Sequence, residues 1–201
     1  MKKVLIVSPH ADDEILSSWT YLLLSKKQKI SLHIIYQAIN DNDDRMYLVN
    51  DLSKEMKFTY DIAFMGYDSI MDTLKMKDIV SYYDDKINGY DEIIIPSLSF
   101  HQDHYIANKA CISALRRNNE SSILIAEHPF NISYLITDFN PNRYIVFDDI
   151  EEKVECLNRY VPYLKKQDIE TSLKLNCFRG QQIGNEYAET FQIIREIWGV
   201  K

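Results

Sequence analysis

The chain has 201 residues, of which 46% are hydrophobic and 26% are charged, and its formal net charge is −7. This composition is typical of a globular protein, and the length suits one domain over residues 1–201. The acidic balance argues against a nucleic-acid-binding protein, which would present a basic face. No apolar run approaches the roughly 18 residues of a membrane-spanning helix. The apolar segment 4–7 is also shorter than the core of a secretory signal, so we expect a cytoplasmic protein without a membrane partner.

Short apolar strands alternate with helical patterns along most of the sequence. Strands are predicted, in chain order, at 3–7, 30–36, 62–65, 92–95, 123–126 and 144–147. Helices are predicted at about 15–23, 44–58, 72–88, 106–115, 150–165 and 186–198. This alternation predicts a single α/β domain with an open, mostly parallel sheet and helices on both faces. In such a sheet, ligands bind beyond the carboxyl ends of the strands, near the point where the strand order reverses.

Two groups of side chains that can bind a metal follow the first and the fourth predicted strands. The first group is S-P-H-A-D-D-E at 8–14, and the second is S-L-S-F-H-Q-D-H at 97–104. His10 and Asp13 are three residues apart, as are His101 and His104, so each pair can point to one side at the start of a helix. Nitrogen and oxygen donors at this spacing can supply three ligands to Zn²⁺ and leave a fourth position for water.

The acidic residues of the first group allow more than one interpretation. Asp12 lies beside Asp13 but points elsewhere, which makes it the candidate to accept a proton from a bound water. Glu14 can hold a ligating histidine, or it can simply favour the first turn of a helix. Taken alone, an Asp-Asp pair at a helix start is usually a cap. The two groups together, after two strands of one sheet, favour a metal site.

An apolar strand followed by P-H-A-D-D-E and a distant H-Q-D-H resembles the PIG-L/LmbE-like zinc-dependent N-deacetylases. The usual motifs of that family are P-H-P-D-D-E and H-P-D-H. The sequence also resembles elements near the end of the family's sequences, at R-G 179–180, Gly184 and Y-A-E-T-F 187–191. The resemblance implies a Rossmann-like fold and a Zn²⁺ held by His10, Asp13 and His104, although other divalent ions also serve in the family.

The resemblance also implies a reaction and gives roles to the other motif residues. Asp12 would be the general base, and His101 would polarise the carbonyl or protonate the departing amine. Asp103 would orient a neighbouring histidine. The implied reaction removes an N-acetyl group from a GlcNAc-type sugar in a small-molecule conjugate, with water activated by Zn²⁺ and Asp12. A homo-oligomer is compatible with this function.

The sequence departs from the family pattern in several places. Ala11 and Gln102 replace the two prolines of the motifs. Ser99 stands two positions before the H-Q-D-H motif, where some members have a tyrosine that helps to stabilise the oxyanion. Arg45 is the nearest candidate to grip polar groups of a substrate, and a solvated helix residue is an equally good interpretation. His128, after the fifth strand, is a candidate substrate contact or a structural histidine.

Two other classes of function remain open. A receiver-like signalling module would use the acidic pair after the first strand to hold Mg²⁺, with Asp68 as the phosphoacceptor. Asp68 lies beyond the end of the third strand, however, and the two histidines of the second motif would have no role. A catalytically silent relative would bind a sugar or a partner protein without turnover, and the complete set of motif residues argues against it.

Overall fold

The computed structural model describes residues 1–39, 44–65, 71–99, 101–129 and 139–197. The strands are β1 Lys2–Ser8, β2 Ile30–Ile39, β3 Thr59–Met65, β4 Glu92–Pro96, β5 Ser122–Ala126, β6 Arg143–Phe147 and β7 Tyr187–Arg195. The α-helices are α1 Asp13–Lys26, α2 Arg45–Met56, α3 Met76–Lys86, α4 Gln102–Leu115, α5 Ile150–Asn158 and α6 Lys166–Gln181. Within these described ranges, no helix is long and apolar enough to cross a bilayer.

The strands form one seven-stranded sheet in the order β3-β2-β1-β4-β5-β7-β6. Strands β1 to β5 are parallel to one another, and β7 runs antiparallel between β5 and β6. The strand order reverses between β1 and β4, which pair with each other. The predicted α/β class with a mostly parallel sheet is therefore confirmed, and the segments after β1 and β4 leave the sheet side by side.

Each face of the sheet has its own apolar core. Val4 and Ile6 of β1 belong to a core shared with α1, α2, α5 and α6. Leu5 and Val7 belong to a second core, shared with α3 and α4. Because β1 is buried on both sides, it is apolar at consecutive positions instead of alternating.

The prediction for residues 186–198 is wrong. The pattern there predicts a helix, whereas the structure has strand β7 at Tyr187–Arg195, and helix α6 at Lys166–Gln181 was not predicted. β7 pairs with β5 on one side and with β6 on the other. Hydrogen bonds to two distant strands outweigh the local preference of this segment.

Gly180 allows helix α6 to pack directly against the segment that leads into β7. A Cβ atom at this position would lie 2.5 Å from the carbonyl oxygen of Glu186, which is too close for any other residue. The R-G pair of the sequence resemblance therefore includes a glycine that packing requires.

Helix α1 is interrupted at Ser18, whose φ of −146° and ψ of 27° are not helical. The interruption frees backbone groups that an intact helix would bond internally. The amides of Trp19 and Thr20 donate instead to the carboxylate of Glu189, at 2.9 and 2.8 Å. A side chain of β7 therefore caps the second segment of α1.

Lys153 forms hydrogen bonds at the same interruption, with a backbone carbonyl of the first segment of α1. Its Nζ donates to the carbonyl oxygen of Leu16 at 3.3 Å, to Asn176 Oδ1 at 2.8 Å and to Glu189 Oε1 at 3.0 Å. The Lys153 side chain is fully buried, and burial lowers its pKa even though Glu189 opposes this effect. The Lys153–Glu189 pair thus joins the two segments of α1 to α5 and β7.

Replacing Lys153 with methionine removes the cation that pairs with the buried Glu189 carboxylate and leaves only hydrogen bonds, such as those from Trp19 and Thr20, to stabilise this charge. We expect the free energy of unfolding to fall by about 3–5 kcal/mol, as measured by urea denaturation. Lys174→Met is the control, since Lys174 is exposed and lies 3.7 Å from Glu170. Its effect should stay within about 0.5 kcal/mol. Equal effects of the two substitutions would contradict the role given to Lys153.

Candidate metal centre

The two motif segments meet at the carboxyl ends of β1 and β4. His10 lies in the turn between β1 and α1, and His101 immediately precedes α4. The ring centroids of His10 and His101 are 4.9 Å apart, and those of His10 and His104 are 5.4 Å apart. His10, Asp13 and His104 are buried, whereas His101 is exposed. The fold therefore brings together side chains that are about 90 residues apart in the sequence.

Asp13 lies at the centre of the group. Its Oδ2 is 3.4 Å from His10 Nδ1 and 3.2 Å from His104 Nε2. Two ligands at about 2.0–2.1 Å from a tetrahedral Zn²⁺ are about 3.3 Å apart. Both nitrogens therefore lie at about the distance from Oδ2 that separates two ligands of one ion, and nitrogen and carboxylate donors of this kind suit a divalent metal.

Asp103 is a hydrogen-bond partner of His10. His10 Nε2 lies 2.9 Å from Asp103 Oδ2, and Asp103 Oδ1 accepts a hydrogen bond from the amide of Met71. When Nε2 carries the proton, Nδ1 keeps its lone pair on the side of Asp13, as metal-binding histidines require. Burial lowers the pKa of His10, but the hydrogen bonds to Asp103 and Asp13 outweigh burial and raise this pKa to about 10.

Asp12 has a strained backbone, with φ at 144° and ψ at −27°. A residue with a side chain rarely adopts this conformation, and strain of this kind concentrates at functional sites. The Asp12 side chain makes no capping hydrogen bond, so the cap interpretation does not describe it. Burial raises the pKa of Asp12, and the neighbouring charge of Asp13 raises it further.

Glu14 is buried against the turn that carries Asp12. Its Oε2 accepts hydrogen bonds from the Asp12 amide at 3.0 Å and from Ser8 Oγ at 3.4 Å. The structure thus places Glu14 against the turn and not against a ligating histidine. Burial raises the pKa of Glu14 to about 7.

Arg45, Ser99 and His101 lie on the approach to the centre. Arg45 is buried, and its guanidinium lies 4.9 Å from the centroid of the Tyr163 ring. Its charge opposes the rise in the pKa of Asp12, so Arg45 is near the site and is not a solvated helix residue. The hydroxyl of Ser99 accepts a hydrogen bond from the His101 amide at 3.1 Å. Burial lowers the pKa of His101, as does the positive charge of His10.

His128 is the residue whose surroundings the sequence does not reveal. Its Nε2 lies 2.9 Å from Asp13 Oδ1, and the residue is only 3% exposed. Within the described part of the chain, two sets of three residues can hold an ion: His10, His101 and His104, and Asp13, His104 and His128. The expected set of His10, Asp13 and His104 shares two residues with each of them and is identical to neither. The position of His128 after β5, at the ligand end of the sheet, is the one signal that could have indicated it.

Gln37 is a second residue whose contact with the site the sequence does not indicate. Its side-chain amide donates to the carbonyl oxygen of Asp103 at 3.1 Å and accepts a hydrogen bond from the Tyr83 hydroxyl at 3.0 Å. A glutamine at the end of an apolar strand carries no sequence signal for such a contact. Asp68, on which the receiver-like alternative depends, lies outside the described residues.

No protein-family model matches the chain, and no curated protein matches it. Solved structures of the same fold do. GalB, the 4-carboxy-2-hydroxymuconate hydratase of Pseudomonas putida, is 14% identical, with a TM-score of 0.76 over 100% of this chain and 99% of GalB. The conserved protein TT1542 of Thermus thermophilus is 16% identical, with a TM-score of 0.77 over 100% of this chain and 98% of TT1542.

The N,N'-diacetylchitobiose deacetylase of Pyrococcus horikoshii is 15% identical, with a TM-score of 0.72 over 96% of this chain and 84% of the deacetylase. Likenesses at such identities establish the fold. At the level of fold they confirm the resemblance to the PIG-L/LmbE-like deacetylases that the motifs indicate.

The strain at Asp12 predicts a difference between two substitutions that both remove the carboxylate. Glycine tolerates a positive φ and alanine does not, so Asp12→Gly should have a higher free energy of unfolding than Asp12→Ala by about 1 kcal/mol or more. Urea denaturation of the two metal-free variants measures this difference. A less stable glycine variant would show that the backbone of Asp12 is not strained.

The raised pKa of His10 predicts a pH dependence in the metal-free protein. The pKa rises from 6.5 to about 10 on folding, so protonated His10 stabilises the fold fully below pH 6.5, and this contribution is lost as the pH rises toward 10. We expect the free energy of unfolding of chelator-treated protein to fall across this window, and to fall less in His10→Gln. His33→Gln, in β2, should follow the unmodified chain, and identical curves for all three proteins would contradict the prediction.

Proposed function

We propose that this chain is a zinc-dependent N-deacetylase that removes the N-acetyl group from a GlcNAc-type sugar in a small-molecule conjugate. The observation that carries the proposal is the spacing of Asp13 Oδ2 from His10 Nδ1 at 3.4 Å and from His104 Nε2 at 3.2 Å. The sugar is inferred from the motif resemblance, and the shared fold of a chitobiose deacetylase supports it. Other divalent ions would suit the same donors.

Asp12 and His101 would move the protons of this reaction. A cation on His10, Asp13 and His104 would supply Lewis-acid chemistry, lowering the pKa of a water and polarising the acyl oxygen. Asp12 has a pKa raised by burial, so its carboxylate is suited to accept the proton of the attacking water. His101, whose ring centroid lies 4.9 Å from that of His10, would polarise the carbonyl or protonate the departing amine.

Substrate recognition is proposed for the side of the site where Arg45 and Tyr163 lie. Arg45 is held over the Tyr163 ring and acts electrostatically on Asp12. A guanidinium in this place can donate hydrogen bonds to hydroxyl or acidic groups of the conjugate, while the tyrosine ring offers a surface for a sugar ring. Ser99, in the loop before His101, is proposed as a weaker contact.

The same-fold hydratase GalB makes addition of water to a carbon–carbon double bond the second candidate reaction. Asp12 would serve it equally well as a proton acceptor. The receiver-like alternative is less well supported, because Mg²⁺ prefers oxygen ligands and this centre is rich in imidazole nitrogen.

Release of acetate from a panel of N-acetylglucosamine conjugates tests the proposal. We expect release that stops with a chelator and returns with Zn²⁺. Asp12→Ala should keep one zinc per chain and lose at least about 100-fold in kcat, whereas His104→Ala should lose the zinc. Both quantities follow from acetate assays and metal analysis of the purified variants.

Lys174→Ala, remote from the centre, should retain both zinc and turnover. If no conjugate in the panel releases acetate in a zinc-dependent way, the proposed deacetylase activity is excluded. Hydration of a muconate-type substrate by the same preparation would then favour the second candidate. Stoichiometric zinc in His104→Ala would overturn the assignment of the ligands.

A further inference from the structure

The two oxygens of the Asp13 carboxylate have different partners. Oδ2 faces His10 Nδ1 at 3.4 Å and His104 Nε2 at 3.2 Å, and it accepts a hydrogen bond from the His10 amide at 2.9 Å. Oδ1 is hydrogen-bonded to His128 Nε2 at 2.9 Å. One oxygen is therefore directed to the place of the ion, and the other is occupied by a histidine that the family motifs do not include.

We propose that His128 is a positioning residue that fixes the Asp13 carboxylate so that Oδ2 alone faces the cation. This inference rests on the metal centre of the proposed function, but not on the identity of the substrate. The His10 amide holds only Oδ2, so a carboxylate without a partner for Oδ1 could still turn about this hydrogen bond, or place both oxygens on the ion. The hydrogen bond from His128 prevents both movements, since both residues are buried.

The segment that carries His128 is itself firmly held. The carboxylate of the preceding Glu127 accepts a hydrogen bond from Arg179 Nε at 2.8 Å and another from the Thr190 hydroxyl. The Glu127 amide donates to the carbonyl oxygen of Thr190 at 3.1 Å. α6 and β7 thus brace the residue next to His128, which keeps the His128 ring in one place.

The packing around the ring supports the same conclusion. His128, Asp13 and His104 line a cavity of about 10 Å³, which is room for one water at most. This limited space favours the position of the imidazole beside Asp13. Partners that orient a metal ligand in this way typically contribute 10–100-fold to metal affinity.

The affinity for Zn²⁺, measured by competition with a chromophoric chelator, tests the proposal without any substrate. We expect His128→Ala to bind Zn²⁺ about 10–100-fold more weakly. His128→Gln keeps an N–H donor and should recover most of the affinity. His33→Ala is the matched control, because His33 bonds to Thr59 at 2.8 Å, in β2 and β3, and should bind as the unmodified chain does.

The visible spectrum of the Co²⁺-loaded protein supplies a second readout. In His128→Ala we expect weaker absorption bands, because the released Asp13 oxygen adds to the coordination of the ion, and in His128→Gln we expect the original spectrum. Affinity within twofold of the unmodified chain in His128→Ala would overturn the proposal. Failure of His128→Gln to restore affinity would overturn it as well and make His128 a ligand. If the two His128 variants bind Zn²⁺ as expected but no acetate is released from any substrate, only the proposed deacetylase activity would be overturned.

Discussion

The candidate metal centre depends on the buried ion pair between Lys153 and Glu189. This pair bonds to the backbone groups that the interruption of helix α1 leaves free. Helix α1 begins at Asp13, so the short segment before Ser18 carries the central carboxylate. A buried ion pair adds little stability compared with apolar side chains of the same volume. Here it has a specific use, because the interrupted helix offers free amides to a carboxylate and a free carbonyl to an ammonium. Residues near the end of the chain thereby fix the position of a residue near its beginning.

Two adjacent carboxylates in this segment are driven toward different charge states. Burial raises the pKa of both, but His104 and the hydrogen bonds from His10, His104 and His128 hold the pKa of Asp13 well below its usual range. For Asp12, burial and the charge of Asp13 outweigh the opposing charges of His10 and Arg45, so its pKa is raised. Neighbouring acids separated in this way are suited to different roles, one as a permanent anion and the other as a proton acceptor.

The parts of the molecule that could be predicted are those that residues close together in the sequence indicate. β1 and β4 are short apolar runs that end just before the two motifs, and the spacing within each motif is visible in the sequence. The helix predicted at 186–198 is wrong because β7 is stabilised by pairing on both sides, which no local pattern shows. The contact of Asp103 with His10 spans 93 residues, and the family resemblance implied a contact of Asp103 with a neighbouring histidine. The contact of His128 with Asp13 spans 115 residues and follows from the sheet order, which the motifs do not reveal.

The position of β7 between β5 and β6 has a consequence for synthesis on the ribosome. In the described part of the chain, β6 pairs only with β7, which follows it in the sequence. Residues 143–147 therefore emerge before the strand that they pair with, and α1 emerges long before the Glu189 that caps it. The nascent chain passes through a stage with unpaired strand edges, which favour association with other chains. Completion of the end of the sheet that carries the candidate metal centre must accordingly wait for β7 to be translated.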